Sequence, residues 1–189
     1  MSIKDHIAIK VRSMYPLDMD AVEDIENSCF DHPWSREELE NAQKKRYYTS
    51  KVAIITPKSN RSEEIVAGSI FVEQDASRFT LLSLAVHPTW RRHGIGSALV
   101  KSIIKRLRGN GRYEIYELVR ETNLRAQKFY RALGFIALRP KRNIYEEIGE
   151  DAYPMIYRWI WSPQGIAVNG EPPGCRLRAH YCTGCGDCK

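Results

Sequence analysis

The sequence predicts an α+β domain, in which helices pack on a mixed sheet. Along the chain, apolar patterns with a period of two residues alternate with helical patterns in the order β-α-α-β-β-β-α-β-α-β-β. Three consecutive strand patterns, separated only by polar turns, indicate an antiparallel meander. The 189 residues are 43% hydrophobic and 28% charged, which is typical of globular proteins and excludes disordered, collagen-like and disulfide-miniprotein classes.

The first elements are a strand and two helices. Residues 6–12 alternate with period two and predict a strand, and Met19–Cys29 is a helical pattern with an aspartate near its start that can cap it. Ser35 is followed three residues later by Glu38, which is the spacing of a capping box. The sequence therefore predicts a second helix over Arg36–Lys44.

The central elements are the meander and a long helix. Strands are predicted at residues 51–56, 64–74 and Arg78–Val86, where β-branched and aromatic residues are frequent. Residues 94–107 place apolar side chains at helical spacing and leave Lys and Arg on the opposite face. This pattern predicts an amphipathic helix that packs on the sheet.

The last elements continue the alternation. Residues 113–119 predict a strand and residues 124–133 a helix that Gly134 closes. Two further strands are expected at residues 135–139 and 154–161.

The composition changes after Trp161, where Pro, Gly and Ser accumulate without periodicity. We therefore expect one domain over residues 1–161 and a flexible, Cys-rich tail over residues 162–189. Four of the five cysteines lie in this tail: Cys175, Cys182, Cys185 and Cys188. Their spacing is compatible with zinc, and only partly with an iron–sulfur cluster. We expect a disordered, oxidation-prone extension, with no metal required.

Charge and hydropathy limit the partners. The net charge of +6 and the pI of about 9.1 suggest affinity for polyanions, although scattered Lys and Arg also simply solvate a surface. No stretch approaches the ~20 apolar residues of a membrane span, and the start of the chain lacks the apolar core of a secretory signal. We expect a cytoplasmic protein without membrane association.

One stretch predicts an anion site. In LLSLAVHPTWRRHGIGSALV, at residues 81–100, a strand leads through a glycine-containing turn into a helix. The N–H groups at such a helix start have no intrahelical partner, and Gly94 and Gly96 allow close approach, so a pyrophosphate fits there. The stretch matches neither the Walker motif nor the dinucleotide fingerprint. A simple turn between strand and helix would also explain the glycines.

Four motifs resemble one enzyme family. RRHGIG at residues 91–96 resembles the R/Q-x-x-G-x-G/A acetyl-CoA signature of the GNAT superfamily, and residues 123–135 resemble its N-x-x-A-x-x-x-Y-x-x-x-G-F block. CFDHPWS at residues 29–35, and RNIY with GEDA at residues 142–152, resemble protein N-terminal acetyltransferases of the ribosomal-protein-alanine type. The resemblance covers about residues 7–161.

This resemblance implies a GNAT fold with a mostly antiparallel sheet, a splayed strand pair and acetyl-CoA held in the gap between those strands. Asn123 would cap the following helix and help to fix the cofactor. The other residues implied to bind acetyl-CoA are Leu84, Ala85, Val86, Arg91, Arg92, His93, Gly94, Ile95, Gly96, Ser97 and Tyr130.

The resemblance also implies a proton donor but leaves the proton acceptor open. Tyr130 matches the family's tyrosine near the leaving sulfur, whereas its other interpretation is a ring packed on the sheet. The alanine-type relatives carry a glutamate two residues before the strand's arginine, where this chain has Leu118. Glu117 is one residue away and would point to the opposite sheet face unless a bulge shifts the strand. We take Glu117 as the candidate base. The alternative is an ordered water chain that passes the proton to Ser83 or a backbone carbonyl.

Aromatic residues are the candidates for binding peptide. Phe30, Pro33 and Trp34 would form one wall of a groove and Tyr145 the other, although burial also explains these aromatic side chains. The implied activity is direct transfer of acetyl from acetyl-CoA to the α-amine of a protein N-terminus, with a ribosomal protein as a possible substrate.

Two other functions are compatible with the sequence. One is a GNAT enzyme that acts on lysine side chains or a small amine. The other is a basic RNA- or ribosome-binding module that has lost catalysis, for which Leu118 and the aromatic-basic cluster at residues 44–48 give some support. We expect no direct nucleic-acid contact, and the sequence does not define an oligomeric state.

Overall fold

A computed structural model describes residues 7–57, 63–107, 112–145, 149–162 and 165–168. The strands are β1 (Ile7–Ser13), β2 (Tyr48–Pro57), β3 (Ile65–Gln74), β4 (Arg78–Val86), β5 (Glu114–Arg120), β6 (Ile136–Ala137), β7 (Lys141–Tyr145), β8 (Glu150–Ser162) and β9 (Gly165–Val168). The helices are α1 (Met19–Cys29), α2 (Arg36–Lys44), α3 (Ile95–Leu107) and α4 (Leu124–Ala132).

The strands of the described residues form one mixed sheet in the order β1-β2-β3-β4-β5-β8-β6, and β7 and β9 also pair with β8. Strands β2 to β4 are the predicted antiparallel meander, and β1 pairs with β2 in the antiparallel direction. The pair β4 and β5 is parallel, whereas β5 and β8 are antiparallel. The α+β class is therefore confirmed.

The capping box of α2 is present as predicted. Ser35 Oγ accepts from the backbone N–H of Glu38 at 3.3 Å, and the Glu38 carboxylate accepts from the backbone N–H of Ser35 at 2.8 Å. The aspartate before α1 has a different role from the expected cap. Asp18 accepts from both terminal nitrogens of Arg12, at 2.6 and 2.7 Å, and from the backbone N–H of Tyr15 at 2.7 Å. This contact fixes the start of α1 to β1.

Two apolar clusters cover opposite faces of the sheet. The larger one contains α3 side chains such as Leu99 and Ile103, together with Ile115 and Val119 of β5 and Tyr130 of α4. The smaller one lies under α1 and α2 and contains side chains such as Met19, Val22, Leu39 and Phe71. The face of a strand residue therefore determines which helices it meets.

The C-terminal strands extend beyond the predicted ones. Strand β8 begins at Glu150 and runs to Ser162, and the short strand β9 pairs with its end through Trp161↔Ile166 and neighbouring pairs. Strand β9 is not predicted from the sequence, because GIAV is too short to show a period among the surrounding Pro and Gly. The domain boundary after Trp161 stays a prediction. The four tail cysteines lie outside the described residues.

Within the described part of the chain, no helix combines the length and the apolar character needed to cross a bilayer.

Candidate active site

The site is a cleft between β4 and β5. These parallel strands pair only at Arg78↔Glu114, Phe79↔Ile115 and Thr80↔Tyr116, near their N-terminal ends. Beyond these pairs the strands border a cavity of about 570 Å³, which residues 82–84 line on one side and residues 117–120 on the other. Backbone groups that a continuous ladder would pair are therefore available to a ligand.

A bulge in β4 lies beside the cleft. The register of β3 and β4 shifts between Phe71↔Ser83 and Val72↔Leu81, so Leu82 is an extra residue. Bulges bend a strand and increase its twist, which turns the end of β4 away from β5. After the bulge, Ser83 contacts α1, whereas Leu84 and Val86 pack against the cluster under α3.

The glycine-containing loop leads directly from β4 to α3. Gly94 has φ +89° and Arg92 has φ +68°, and a left-handed conformation of this kind favours glycine at position 94. The first hydrogen bond of α3 joins the N–H of Ala98 to the carbonyl of Gly94 at 2.9 Å. The N–H groups of Ile95, Gly96 and Ser97 precede it and have no intrahelical acceptor. The loop therefore has the backbone arrangement of an anion site, and the binding of a pyrophosphate there stays a prediction.

Gly96 lies at the start of α3, beside Phe129 of α4 and the end of β4. A Cβ added there would lie 3.4 Å from the ring of Phe129 on α4 and 3.7 Å from Val86 Cγ2. Both distances are ordinary van der Waals contacts, so a methyl group at position 96 would fill the gap between the start of α3, α4 and the end of β4.

The basic side chains of the loop have different surroundings. Arg91 Nε donates to the carbonyl of Val86 at 3.1 Å, and its Nη2 lies 3.4 Å from Cys29 Sγ. The Nδ1 of His93 lies 3.2 Å from the carbonyl of Trp90, while Arg92 is exposed. Arg91 therefore links the end of β4 to α1, and both arginines are exposed on the loop.

Asn123 is the N-cap of α4. Its Oδ1 accepts from the backbone N–H of Ala126 at 3.0 Å, and the residue lines the cleft. The predicted capping role is present, and it positions the helix that carries Tyr130.

Tyr130 and Glu117 line the same cleft. The ring of Tyr130 packs between Phe129 and Phe135, each with a centroid distance of 5.1 Å, and only 5% of the residue is exposed. Burial raises the pKa of Glu117 well above its usual value. Burial, together with the nearby Glu117 carboxylate, raises the pKa of the Tyr130 hydroxyl well above 10.0. Both groups therefore favour their protonated forms.

The register of β5 settles the direction of Glu117. The pairing with β8 runs without a shift from Glu114↔Arg158 to Arg120↔Ala152, so no bulge moves the strand. By alternation, Glu117 shares the face of Ile115 and Val119, which is the face of Tyr130, and Leu118 is on the face of α1. Glu117 reaches the cleft nevertheless because the gap between the strands is open to both faces.

The predicted peptide-binding residues are only partly brought together. Phe30 is 39% exposed and lines the cleft with its neighbours Asp31 and His32. Trp34 packs on Phe71 at a ring centroid distance of 5.3 Å, in the cluster under α1 and α2. Pro33 is half-buried in the same loop.

On the other side, Tyr145 is the last residue of β7 and pairs with Glu150. Asp151 of β8 stabilises the pairing of β7 with β8. Its carboxylate accepts hydrogen bonds from Arg142 Nη1 at 2.6 Å and from the backbone N–H of Asn143 at 2.9 Å.

One residue near the cleft was missed by the sequence analysis. Glu26 is 1% exposed, and its Oε1 accepts from Ser83 Oγ at 2.6 Å. The signal was available, because Glu26 follows Met19 and Val22 at helical spacing on the buried face of α1. A carboxylate at such a position needs a hydrogen-bond donor, and the sequence alone does not show that Ser83 supplies it.

Comparisons with known proteins agree with this geometry. The model of the acetyltransferase (GNAT) family matches residues 19–135. The [ribosomal protein bS18]-alanine N-acetyltransferase of Escherichia coli K12 is 29% identical over 135 residues, which are 71% of this chain and 86% of that protein. The chain therefore belongs to the GNAT family of acetyltransferases. As a member, it is an N-acetyltransferase that uses acetyl-CoA.

Solved structures show the same fold. The crystal structure of the Escherichia coli ribosomal-protein-S18-alanine N-acetyltransferase matches with a TM-score of 0.66 and 26% identity, covering 79% of this chain and 92% of that one. Arabidopsis thaliana NAA60 in complex with acetyl-CoA matches with a TM-score of 0.69 and 22% identity, covering 80% and 99%. The second likeness concerns the fold alone.

Proposed function

We propose that this protein transfers the acetyl group of acetyl-CoA to the α-amino group of a protein N-terminus, and that a ribosomal protein is its substrate. The observation that carries this proposal is the cleft between the splayed strands β4 and β5, which Tyr130 lines. Strand β4 continues from this cleft toward the glycine loop before α3. The names of the bacterial relatives, which act on the alanine terminus of a ribosomal protein, support this substrate class.

The chain's own groups would position both reactants. The N–H groups at the start of α3 would hold the pyrophosphate, and the free backbone edge of residues 84–86 would hold the amides of the pantetheine arm. Acetyl-CoA supplies a thioester whose carbonyl carbon accepts the amine. Phe30 would border the entry of the peptide, because it is the exposed apolar side chain at the α1 side of the cleft.

Tyr130 is the proposed proton donor to the sulfur. Its raised pKa keeps the hydroxyl protonated at neutral pH, which is the form that a donor needs. The ring contacts with Phe129 and Phe135 hold the side chain in one orientation. Positioning of this kind avoids reorganisation during the reaction.

Glu117 is proposed to exchange protons with Tyr130, since both line the cleft on the same face of the sheet. Its predicted role as the base that takes the proton of the amine stays a prediction. The alternative is a water chain that passes the proton to Ser83 or a backbone carbonyl, and the contact of Ser83 with Glu26 supports the Ser83 form of this alternative.

A peptide panel tests the proposed function. Thiol release from acetyl-CoA is measured with peptides beginning Ala, Ser or Met, and with an acetyl-blocked Ala peptide that contains an internal lysine. The blocked peptide is the matched control, because it differs in having no free α-amine. We expect activity only with free N-termini, and highest with an Ala terminus. Activity confined to the blocked peptide would contradict the proposal and assign the protein to the class that acetylates lysine.

We also propose that the enzyme works in the cytoplasm and contacts no nucleic acid directly. A newly synthesised ribosomal protein presents its N-terminus there, and the net charge of +6 is compatible with scattered surface Lys and Arg.

A further inference from the structure

A buried carboxyl–hydroxyl pair borders the cleft on the face of α1. Glu26 of α1 accepts a 2.6 Å hydrogen bond from Ser83 of β4. Glu26 is 1% exposed, whereas Ser83 is 8% exposed and lines the cleft. The pair therefore connects the interior beneath α1 with the space between the splayed strands.

This hydrogen bond determines what the Ser83 hydroxyl can offer to a ligand. A serine hydroxyl has one O–H donor and two acceptor lone pairs. Because the O–H points to Glu26, only acceptor capacity remains for a group in the cleft. The hydroxyl is therefore complementary to an N–H donor, which is what an attacking amine presents.

The surroundings of Glu26 suit a proton acceptor. Burial raises the pKa of Glu26, and the hydrogen bonds from Ser83 and from the backbone N–H of Trp34 only partly oppose this. A carboxylate with a raised pKa takes up a proton more readily at neutral pH. The Trp34 contact also ties the loop after α1, which carries Phe30, to the same carboxylate.

We propose that Ser83 and Glu26 form a proton relay that accepts the proton of the attacking amine. Ser83 is the catalytic residue that touches the amine, and Glu26 acts through it as the positioning residue and proton store. The inference rests on the proposed function, because it assigns the acceptor for that transfer.

Each proton in this transfer has a donor and an acceptor. While the amine nitrogen bonds to the acetyl carbon, its proton passes to Ser83 Oγ and the Ser83 proton passes to the Glu26 carboxylate. The bond from carbon to sulfur breaks, and the sulfur takes a proton from Tyr130. The proton on Glu26 then returns through Ser83 and water to Tyr130. The two faces of the cleft therefore have separate roles. Ser83 and Glu26 accept the proton of the amine on one face, and Tyr130, with Glu117 beside it, protonates the leaving sulfur on the other.

The first test compares variants on whichever peptide the parent enzyme acetylates fastest. Glu26→Gln keeps the volume and an oxygen acceptor for Ser83 but cannot store a proton. We expect Glu26→Gln and Ser83→Ala to lower kcat by about 100-fold, with the KM for acetyl-CoA changed by less than about twofold. Ser83→Thr keeps the hydroxyl and should retain most of the rate.

Glu114→Gln is the matched control. Glu114 is also a buried carboxylate, but it lies at the start of β5, where Arg158 binds it at 2.7 Å. Its variant should keep the parent kcat even if its melting temperature falls. If Glu26→Gln folds poorly, the kcat of Ser83→Ala tests the relay. Ser83→Ala removes only one oxygen atom.

The second test does not depend on turnover. In protein labelled with ¹³C at the glutamate carboxyls, the resonance lost in Glu26→Gln identifies Glu26. With CoA bound, a peptide with a free N-terminus should shift this resonance, and the same peptide with an acetylated N-terminus should not. Parent-like kcat in Glu26→Gln and Ser83→Ala, or an unmoved resonance, would overturn the relay. If the parent enzyme acetylates only the blocked peptide, the proposed function is overturned. The relay is then tested with the lysine amine of that peptide as the acceptor of the acetyl group.

Discussion

Tyr130 lines the cleft, and its ring packs between Phe129 and Phe135. The Tyr130→Phe variant keeps the contacts of the ring with Phe129 and Phe135 and removes only the hydroxyl. We expect kcat to fall by about 100-fold, since general acid catalysis contributes at least that much. The dissociation constant of acetyl-CoA, measured by calorimetry, should change little. An unchanged kcat would remove the donor assignment.

We expect ionisation of Glu117 to lower the free energy of unfolding, in addition to the proposed proton exchange with Tyr130. Its pKa is raised by burial, so the folded protein holds this proton more tightly than the unfolded chain. Protonated Glu117 contributes its full stabilisation to the folded state when the pH is below the pKa of the unfolded chain, about 4.3. This contribution is lost as the pH rises through the higher pKa of Glu117 in the folded protein.

Glu117→Gln therefore should raise the melting temperature at pH 8 and have a smaller effect at pH 5. The same variant should lower kcat, because Tyr130 loses its proton partner. Thermal unfolding and initial rates at both pH values provide the measurement. A variant with the rate, pH profile and melting temperature of the parent would show that Glu117 has no part in the proton transfers.

At the scale of elements, Gly68 determines how closely β4 and α3 approach β3. A Cβ at this position would lie 2.8 Å from the carbonyl oxygen of Ala85 and 3.2 Å from Ile95 Cγ2. Since the backbone oxygen belongs to the strand that borders the cleft, Gly68→Ala must displace β4 or α3. We expect a loss of about 2 kcal/mol in the free energy of unfolding and weaker binding of acetyl-CoA.

Urea unfolding and calorimetry measure both effects. Ser13→Thr is the control, because it adds a methyl group at an exposed strand position away from the cleft. Parent-like stability in Gly68→Ala would mean that the strands can separate without cost, contrary to the contact distances.

The elements themselves could be predicted well where local signals are strong. The capping box at Ser35 and Glu38 defined α2, and the helical period defined α1 and most of α3. Strand β9 was missed because a four-residue strand depends on its partner β8 and not on its own pattern. Asp18 was expected near a helix cap, but a tertiary contact with Arg12 determines its side chain.

At the scale of the whole molecule, the candidate site could be predicted only where a local motif carries it. Asn123 and Tyr130 belong to one contiguous motif and line the same cleft, and the glycine loop is a second contiguous motif that follows β4. The contact between Glu26 and Ser83 joins residues 57 positions apart, so only the packing of α1 on β4 reveals it. The face of Glu117 likewise depends on an uninterrupted register between β5 and β8.

The cleft also divides the sheet into two parts, since β1 to β4 are joined to β5 and the later strands through three residue pairs. Acetyl-CoA bound between the open ends of β4 and β5 should link these parts. At a concentration of about 100 times its dissociation constant, a ligand of the folded state raises the free energy of unfolding by about 2.7 kcal/mol. Hydrogen exchange should slow most in residues 82–86 and 117–120, and least in the distant strand β1.

The control for this prediction is Gly94→Val, because a β-branched residue does not readily adopt φ +89°, although a Cβ at this position has no neighbour within 4 Å. The variant should fold and yet lose most of the stabilisation by acetyl-CoA. An equal slowing of hydrogen exchange in every strand would contradict the prediction that acetyl-CoA bridges β4 and β5. Protection confined to the loop before α3 would show that only the pyrophosphate is held, with the pantetheine arm outside the gap.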